Sequence, residues 1–319
     1  MLKLILLFVF ALAGALYGRT LHLTRQTNEA YPPVGDFAEI GDVRLHYTDY
    51  PAEGDADLPP LLFIHGASGN LREQQGVLLD KLRGRARLIF VDRPGHGHST
   101  RGGAADMHLP SGQARILSGL LGKLGIDRAI VIGHSYGASV AASLAVEHPG
   151  QVAGLVFLAP ATHPWPGGGV TWYYDVTALP VIGYLFSELI AVPAGHLRYR
   201  KGVGEIFAPE KTPPRYAEIS ATQLVLRPQT FRNNAADVTS LYGFVRAFSQ
   251  RYREIAVPTS ILSGDSDDVV LAHIHSEGLA RDIEGSKLVW LEGVGHAPAW
   301  TRPDAVIAEI ERVAGEIRP

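Results

Sequence analysis

The chain has 319 residues, of which 46% are hydrophobic, with a formal net charge of −3 and no cysteine. A chain of this length and composition can bury a sizeable core as one large domain or two. The lack of cysteine excludes disulfides and thiolate chemistry. The nearly balanced, dispersed charge gives no reason to expect a nucleic-acid partner.

The N-terminus carries 14 uninterrupted apolar residues from Leu4 to Tyr17, preceded by Lys3. A membrane-spanning helix needs about 20 apolar residues, whereas runs of about 10–14 are more typical of signal-peptide cores. We predict that residues 1–18 form a hydrophobic segment that is either a cleaved signal or a retained anchor. The protein is then exported or membrane-anchored. Residues 19–35, which end in YPPVG, are predicted to be a linker.

From residue 36 onward, strand patterns alternate with helical ones. Two alternating runs around Gly41 and Asp42 predict a hairpin over residues 37–50. Helical spacing of apolar residues follows in LREQQGVLLDKL and SGQARILSGLLGKL. Six short apolar runs predict buried strands: LLFIHG (61–66), RLIFVD (87–92), AIVIGHS (129–135), GLVFLAP (154–160), TSILSGD (259–265) and KLVWLEG (287–293). This alternation predicts an α/β fold whose mostly parallel sheet is covered on both faces.

The alternation stops between residues 164 and 235, which we call the cap segment. It is rich in proline and holds eight of the chain's 27 aromatic residues between Trp165 and Phe207. A structureless loop of this length is implausible inside a compact domain. We therefore predict an inserted helical cap, with an irregular surface excursion as the alternative. The core then comprises residues 36–163 and 236–319.

The sequence GHSYG places Ser135 in a G-x-S-x-G pentapeptide. A buried strand leads into the serine and a helix of small residues follows, which predicts a sharp turn that presents the Oγ atom. Gly133 and Gly137 would let this helix pack closely on the strand. The amide of Tyr136 would lie at the helix N-terminus, where it can stabilise an oxyanion. The pattern predicts that Ser135 is a nucleophile.

A nucleophilic serine needs a base and an acid that orients the base. His296 follows the last predicted strand, and GDSDDVV places three aspartates after the preceding one. Loops that follow parallel strands meet at one edge of the sheet, so these groups can converge on the serine. We predict that Asp267 is the acid, because Asp265 would still lie on the strand end and Asp268 would face the following loop.

Five motifs in this order, HGASG, DRPGHGHS, GHSYG, GDSDDVV and GVGHAP, resemble those of the α/β-hydrolase superfamily over residues 36–319. The resemblance implies an eight-stranded, mostly parallel sheet flanked by helices, with an inserted cap. It implies that HGASG supplies a second oxyanion-hole amide, from Ala67, with Ser68 as the less favoured donor. DRPGHGHS would be mainly a structural turn. Epoxide hydrolases and haloalkane dehalogenases of this superfamily carry aspartate where this chain has Ser135, which disfavours those activities.

The remaining histidines offer few alternatives. His96 and His98 have no third ligand in sight, so we expect no metal site there. His273 and His275 lie one residue apart on a predicted helix and are expected at the surface.

These observations predict a serine hydrolase that cleaves a small to medium hydrophobic carboxylic ester through an acyl-enzyme. The partner would be a small molecule, and the chemistry requires no metal or organic cofactor. The same groups would also serve carbon–carbon bond hydrolysis, perhydrolysis or transfer of the acyl group to another acceptor. A non-catalytic binding module and a membrane-tethered interaction protein are the alternatives from other classes.

Overall fold

A single sheet of eight strands organises the chain, in a computed structural model that describes residues 1–54 and 56–317. Asp55 and the last two residues of the predicted core, 318–319, lie outside the described residues. The strands are β1 (Asp36–Ile40), β2 (Val43–Tyr50), β3 (Leu61–Ile64), β4 (Leu88–Val91), β5 (Ala129–His134), β6 (Val152–Leu158), β7 (Thr259–Gly264) and β8 (Lys287–Leu291).

The strand order is β1-β2-β4-β3-β5-β6-β7-β8. β1 pairs with β2, and β2 with β4, in antiparallel fashion, while every pair from β4 across to β8 is parallel. The predicted hairpin is present, since Ile40 pairs with Val43 across the turn. The eight-stranded, mostly parallel sheet is therefore confirmed.

Helices cover both faces of this sheet and also form the N-terminal segment and the cap segment. They are α1 (Leu2–Ala30), α2 (Arg72–Leu82), α3 (Pro110–Lys123), α4 (Tyr136–Glu147), α5 (Trp172–Ala178), α6 (Pro180–Phe186), α7 (Val192–Phe207), α8 (Tyr216–Ile219), α9 (Pro228–Phe248), α10 (Ala272–Asp282), α11 (Pro298–Thr301) and α12 (Pro303–Glu316). Every residue of the five strands β3 to β7 is buried, because apolar side chains alternate into a core on each face. This two-sided burial explains why these strands are continuous apolar runs.

The N-terminal helix differs from the prediction for residues 19–35. α1 continues without a break to Ala30, so most of the predicted linker is helical and only its last five residues are irregular. The reason is packing: Thr20, Leu23 and Thr27 are buried against the cap segment, while the other faces of α1 are exposed. The linker prediction failed because it relied on the Pro-rich end of the segment alone.

Within the described residues, the cap segment contains helices and no strand. Its predicted end at residue 235 falls inside α9, which starts in the cap segment at Pro228 and runs on into the core. The buried carboxylate of Asp237 holds this second half of α9, because it accepts hydrogen bonds from Arg93 at 2.9 Å and Arg101 at 2.6 Å. The cap segment and the core thus share one helix.

Candidate active site

Ser135 lies on the turn between the central strand β5 and α4. Its backbone adopts φ 52° and ψ −116°, an unfavourable conformation for a residue with a side chain. Two hydrogen bonds hold the turn: the Ser135 N–H donates to Leu158 O at 2.9 Å, and Ser135 O accepts from Ala161 N at 3.2 Å. The strain is therefore imposed by neighbouring strand β6 and the loop after it.

The two glycines of the pentapeptide are required by close backbone approach. A Cβ atom on Gly137 would lie 2.4 Å from Ile64 O, and one on Gly133 would lie 2.6 Å from Gly137 O. Neither distance accommodates a methyl group. The helix therefore packs directly on strands β3 and β5, as the sequence pattern predicts, and this packing aims the start of α4 at the carboxyl edge of the sheet.

A continuous chain of hydrogen bonds runs from Ser135 to a histidine and a carboxylate. His296 Nε2 lies 3.0 Å from Ser135 Oγ, and His296 Nδ1 lies 2.7 Å from Asp267 Oδ2. The other oxygen of Asp267 accepts the N–H groups of Val269 at 2.9 Å and Val270 at 3.1 Å. With Nδ1 protonated and bonded to the carboxylate, Nε2 is free to accept the serine proton.

The environment of Asp267 favours its charged form. Burial of the carboxyl raises its pKa, but the adjacent His296 ring and the two backbone N–H donors outweigh burial, and the pKa lies below the ordinary value for aspartate. Asp267 therefore stays ionised at neutral pH and can stabilise a positive charge on the imidazole.

The two neighbouring aspartates have different surroundings. Asp265 is exposed, and its Oδ1 accepts the Gly293 N–H at 2.8 Å, which closes the loop after β8. Asp268 is also exposed. Of the three aspartates in GDSDDVV, Asp267 is the one within hydrogen-bond distance of His296.

The backbone of His296 is held from two directions. Its N–H donates to Ile206 O in α7 at 2.8 Å, and its carbonyl oxygen lies 2.8 Å from His134 Nε2. A Cβ atom on Gly295 would lie 2.5 Å from Ala208 O, so the loop also needs a glycine to approach the cap segment. The cap segment therefore helps to fix the imidazole that faces Ser135.

A buried ion pair lies beneath this loop and was not predicted. Glu73 Oε1 lies 3.2 Å from His134 Nδ1, off the line of the ring N–H. Burial acts to raise the pKa of Glu73 and to lower that of His134, but their mutual attraction outweighs it, so the pKa of Glu73 lies below its usual value and that of His134 above. His134 stands directly before Ser135, yet nothing in the sequence pairs it with a residue at the start of α2.

Asn234 is a second neighbour of the site that sequence analysis missed. Its Oδ1 accepts the Ser68 N–H at 2.7 Å, and its Nδ2 donates to Ser68 Oγ at 3.0 Å. The amide of Ser68 is therefore occupied. Within residues 1–54 and 56–317, the amides of Ala67 and Tyr136 have no hydrogen-bond acceptor.

Three of the other histidines singled out in the sequence have structural partners, whereas His273 is exposed as expected. His275 is buried, which corrects the expectation of a surface residue: its Nδ1 accepts the N–H groups of Thr162 at 3.2 Å and His163 at 3.0 Å. Burial lowers the pKa of His275 to about 4. His96 lies against the Arg93 guanidinium and His98 against the Tyr31 carbonyl.

No group of three or more His, Cys, Asp or Glu in the described part of the chain is arranged to hold a metal ion. The turn DRPGHGHS has a structural arrangement. Asp92 accepts the N–H groups of Leu71 and His98 at 2.7 Å each and contacts His46 Nδ1 at 2.6 Å.

The site lies beneath the cap segment. Only 8% of Ser135 and 6% of His296 are exposed. Helix α5 passes over the HGASG loop, where Tyr174 Oη lies 3.3 Å from Ser68 Oγ, and Phe231 of α9 packs on the Tyr174 ring at 6.1 Å between centroids. The cap side chains over this loop thus include two aromatic rings beside Asn234.

Three features define an α/β enzyme of the hydrolase class. They are a mostly parallel sheet, a strained serine after its central strand, and a histidine–carboxylate pair from the loops that follow the last two strands. The chain belongs to the alpha/beta hydrolase fold family, whose model matches residues 59–303. This result confirms the resemblance, the fold class and the assignment as a hydrolase.

Three comparisons illustrate the relationship. The chain is 33% identical over 261 residues to 2-hydroxy-6-oxononadienedioate/2-hydroxy-6-oxononatrienedioate hydrolase of Paraburkholderia phymatum, covering 78% of this chain and 80% of that one. Among solved structures, the enol-lactonase from Burkholderia xenovorans has a TM-score of 0.71 at 18% identity, covering 88% of this chain and 100% of that one. A thermophilic esterase from Thermogutta terrifontis has a TM-score of 0.68 at 21% identity, covering 87% and 96%. At these identities the two structures support the fold alone.

Proposed function

We propose that this hydrolase cleaves small to medium hydrophobic carboxylic esters through an acyl-enzyme formed on Ser135. The observation that carries the proposal is the unbroken hydrogen-bond chain from Ser135 Oγ through His296 to Asp267, with distances of 3.0 and 2.7 Å. This is the geometry that activates a serine hydroxyl as a nucleophile.

In the first half of the reaction, His296 Nε2 removes the Ser135 proton while Oγ attacks the ester carbonyl carbon. The amides of Ala67 and Tyr136 bind the resulting oxyanion, and each such donor contributes roughly 10²–10³ to the rate in comparable sites. Asp267 holds the proton on Nδ1 and stabilises the imidazolium. The ester C–O bond then breaks, and the alcohol leaves with the proton from Nε2.

In the second half, water replaces the alcohol. His296 takes a proton from the water as the water oxygen attacks the acyl carbon. The proton passes to Ser135 Oγ when the bond between Oγ and the acyl carbon breaks. The carboxylic acid is released and the serine is restored. No step requires a metal or an organic cofactor.

Hydrophobic substrates suit the walls of this site. Tyr174 and Phe231 lie at the cap side of the HGASG loop, and both polar atoms of the Asn234 side chain are hydrogen-bonded to Ser68. An apolar acyl or alcohol group would pack against these rings without leaving a buried polar group unpaired. We therefore propose that the cap segment, residues 164–235, is a substrate-enclosing insertion in the core.

The relative from Paraburkholderia phymatum supports a second candidate function. The substrate in its name carries a ketone and an enol and has no ester, so hydrolysis at the ketone breaks a carbon–carbon bond. The same serine, histidine and amides can serve that reaction, because it also passes through a tetrahedral oxyanion. Perhydrolysis and acyl transfer differ from hydrolysis in the acceptor that replaces water.

We also propose that residues 1–18 associate the protein with a membrane. Helix α1 is long and apolar enough to cross one, and only 6% of its apolar 18-residue stretch is buried in the protein. The exposed apolar side chains from Leu2 to Leu12 would otherwise stand in water.

The test uses the full chain in detergent. We expect hydrolysis of p-nitrophenyl esters, and the dependence on acyl length will report the size of the pocket. Ser135→Ala should lower kcat by at least about 10³-fold and abolish labelling by a fluorophosphonate, because it removes the nucleophile. Asp267→Asn should lower kcat by about 10⁴-fold, because the amide favours the wrong imidazole tautomer.

Asp265→Asn is the matched control, since Asp265 is exposed and lies outside the hydrogen-bond chain. Equal losses in Asp265→Asn and Asp267→Asn would contradict the assigned acid. Labelling of Ser135 without turnover of any ester would favour the carbon–carbon hydrolase, to be assayed with a vinylogous diketone acid. A folded protein that is neither labelled nor active would exclude both functions.

A further inference from the structure

The outer face of the cap segment is unusually apolar for a surface in contact with water. Between Val176 and Ser187 there is no charged residue. The exposed large apolar side chains on this face, which we call the cap face, are Trp172, Leu179, Val181, Ile182, Tyr184, Leu185, Ile190 and Leu197. Leu197 is 86% exposed and Trp172 is 65% exposed. An apolar surface of this kind marks an interaction site.

Helix α1 joins the molecule at this same face. A stripe of α1 side chains, from Ala13 and Leu16 through Thr20, Leu23 and Thr27, is at least partly buried. It packs on residues 187–191 and on α7. Arg19 lies close to His196, the neighbour of Leu197. The free apolar half of α1 therefore leaves the molecule beside the cap face.

The length of the apolar run limits how far the cap face can stand from a bilayer. From Leu4 to Tyr17 the run is 14 residues, or about 21 Å of helix at about 1.5 Å per residue. The hydrocarbon core of a bilayer is about 30 Å thick. A helix that spans it must include the turns around Ala13 to Thr20, which are the turns that already contact the cap segment. Insertion of α1 thus brings the cap face to the membrane surface.

Positive charges border the cap face. Arg198, Arg200 and Lys201 follow Leu197 directly and are exposed, and Arg19 is exposed on α1 at the end of its apolar run. Two acidic residues lie in the helices of the cap face before His196: Glu188 is paired with Arg232 at 2.9 Å, and Asp175 of α5 is exposed. Apolar side chains bordered by arginine and lysine match the interface of a bilayer that contains anionic lipids.

We propose that the cap face rests on an anionic lipid bilayer beside the inserted α1, so that substrates reach Ser135 from the membrane. The docking rests on the cap face and α1 alone, whereas the substrate route rests on the proposed function. Helix α5 lies between the cap face and the candidate active site. It carries Trp172 on its outer side and Tyr174, which contacts Ser68, on its inner side. Ser135 is nearly enclosed beneath the cap segment, and the proposed route runs past α5.

Docking can be tested without any assay of activity. The chain has no cysteine, so Ile182→Cys or Leu197→Cys gives a single attachment point for a fluorophore. The control is Asp127→Cys, because Asp127 is exposed just before β5, at the end of the sheet opposite to Ser135. The full-length variants are reconstituted in vesicles of phosphatidylcholine and phosphatidylglycerol that contain a lipid-borne quencher.

We expect quenching at positions 182 and 197 and none at 127, and weaker quenching in vesicles of phosphatidylcholine alone. If α1 inserts but the fluorophores at 182 and 197 stay unquenched, the cap face is in water or against another protein, and the proposal is wrong. Equal quenching at all three positions would also overturn it, because it would mean adsorption without orientation.

The substrate route has its own test. Ile182→Glu should slow hydrolysis of a long-chain p-nitrophenyl ester held in vesicles by about tenfold, because a charge would enter the bilayer interface. Hydrolysis of p-nitrophenyl butyrate in solution should be unchanged. Gly150→Glu is the control, since it adds the same charge in open space at the far end of the sheet. Equal slowing in both variants would refute the route, whereas a wild-type protein inactive on both esters would refute the proposed function and leave the quenching result standing.

Discussion

The pair formed by Glu73 and His134 shows how a single buried contact supports the site from behind. His134 Nε2 lies 2.8 Å from the carbonyl oxygen of His296, so the pair holds the backbone of the proposed base. Trp300 Nε1 in turn donates to the carbonyl oxygen of Glu73 at 2.8 Å. The pair therefore links α2, β5 and the loop after β8, three elements that are distant in sequence.

This pair should make stability depend on pH in a defined window. The pKa of Glu73 is lowered on folding, so its contribution is present above the unfolded value and is lost as pH falls through the folded one. The pKa of His134 is raised, so its contribution is present below the unfolded value and is lost as pH rises through the folded one. Both contributions are complete between about pH 4.5 and 6.5.

We expect Glu73→Gln to lower the free energy of unfolding by about 1.5–3 kcal/mol at pH 5.5, with a smaller loss at pH 9, because the positive charge on His134 decreases as pH rises. Urea unfolding at the two pH values measures the difference. The double variant Glu73→Gln/His134→Gln is the control, and it should remove the pH dependence of the loss. A loss that is the same at both pH values would contradict the charged pair.

At the scale of elements, α1 is attached to the cap segment by an unusual set of side chains. Thr20, Thr24 and Thr27 turn toward the cap segment, and in the described part of the chain their buried hydroxyl oxygens have no hydrogen-bond partner. Leu23 is the large apolar side chain buried among them. A buried hydroxyl without a partner costs free energy, so this contact is weaker than its area suggests.

We expect Thr27→Val to raise the free energy of unfolding by up to about 1 kcal/mol, because valine keeps the β-branched shape and removes the unpaired hydroxyl. Thermal unfolding of the full chain in detergent measures the effect. Thr239→Val in α9 is the matched control, since the Thr239 hydroxyl donates to Ala235 O at 2.8 Å. If Thr27→Val destabilises the protein as much as Thr239→Val, the hydroxyl of Thr27 has a partner after all.

At the scale of the whole molecule, the joint between cap segment and core is a buried network around Asp237. Its carboxylate accepts hydrogen bonds from Arg93 and Arg101, and from Gln113 Nε2 at 3.0 Å. One helical turn earlier, Asn234 holds Ser68 beside the proposed oxyanion hole. The same helix therefore carries the joint and a contact to the site.

Removal of the central carboxylate should be costly. We expect Asp237→Ala to lower the free energy of unfolding by about 3–5 kcal/mol, because two arginines would lose their buried counter-ion. Asp106→Ala is the control: Asp106 forms an equally well aligned pair with Arg115, but at the surface, and its loss should cost at most about 1 kcal/mol. Urea unfolding distinguishes the two, and similar losses would show that burial is not what makes the Asp237 network important.

Much of the architecture follows from local sequence patterns. Continuous apolar runs predict buried parallel strands, and the Gly-Asp pair predicts the hairpin, because each pattern acts over a few neighbouring residues. The order of the motifs also predicts that Ser135, Asp267 and His296 meet, since loops after parallel strands share one edge of the sheet. In the structure, His296 lies 3.0 Å from Ser135 Oγ and 2.7 Å from Asp267 Oδ2, while the catalytic roles of the three residues stay a prediction.

By itself, the sequence determined the strands, the sheet class and the residues gathered at its carboxyl edge, because period and strand ends are local properties. Only the tertiary structure decided that Glu73 lies beneath His134, that Asn234 occupies the Ser68 amide and that His275 is buried. It also decided that α1 continues as a helix along the cap segment. Each of these depends on a partner far away in the chain, and such partners leave no periodic trace in the sequence.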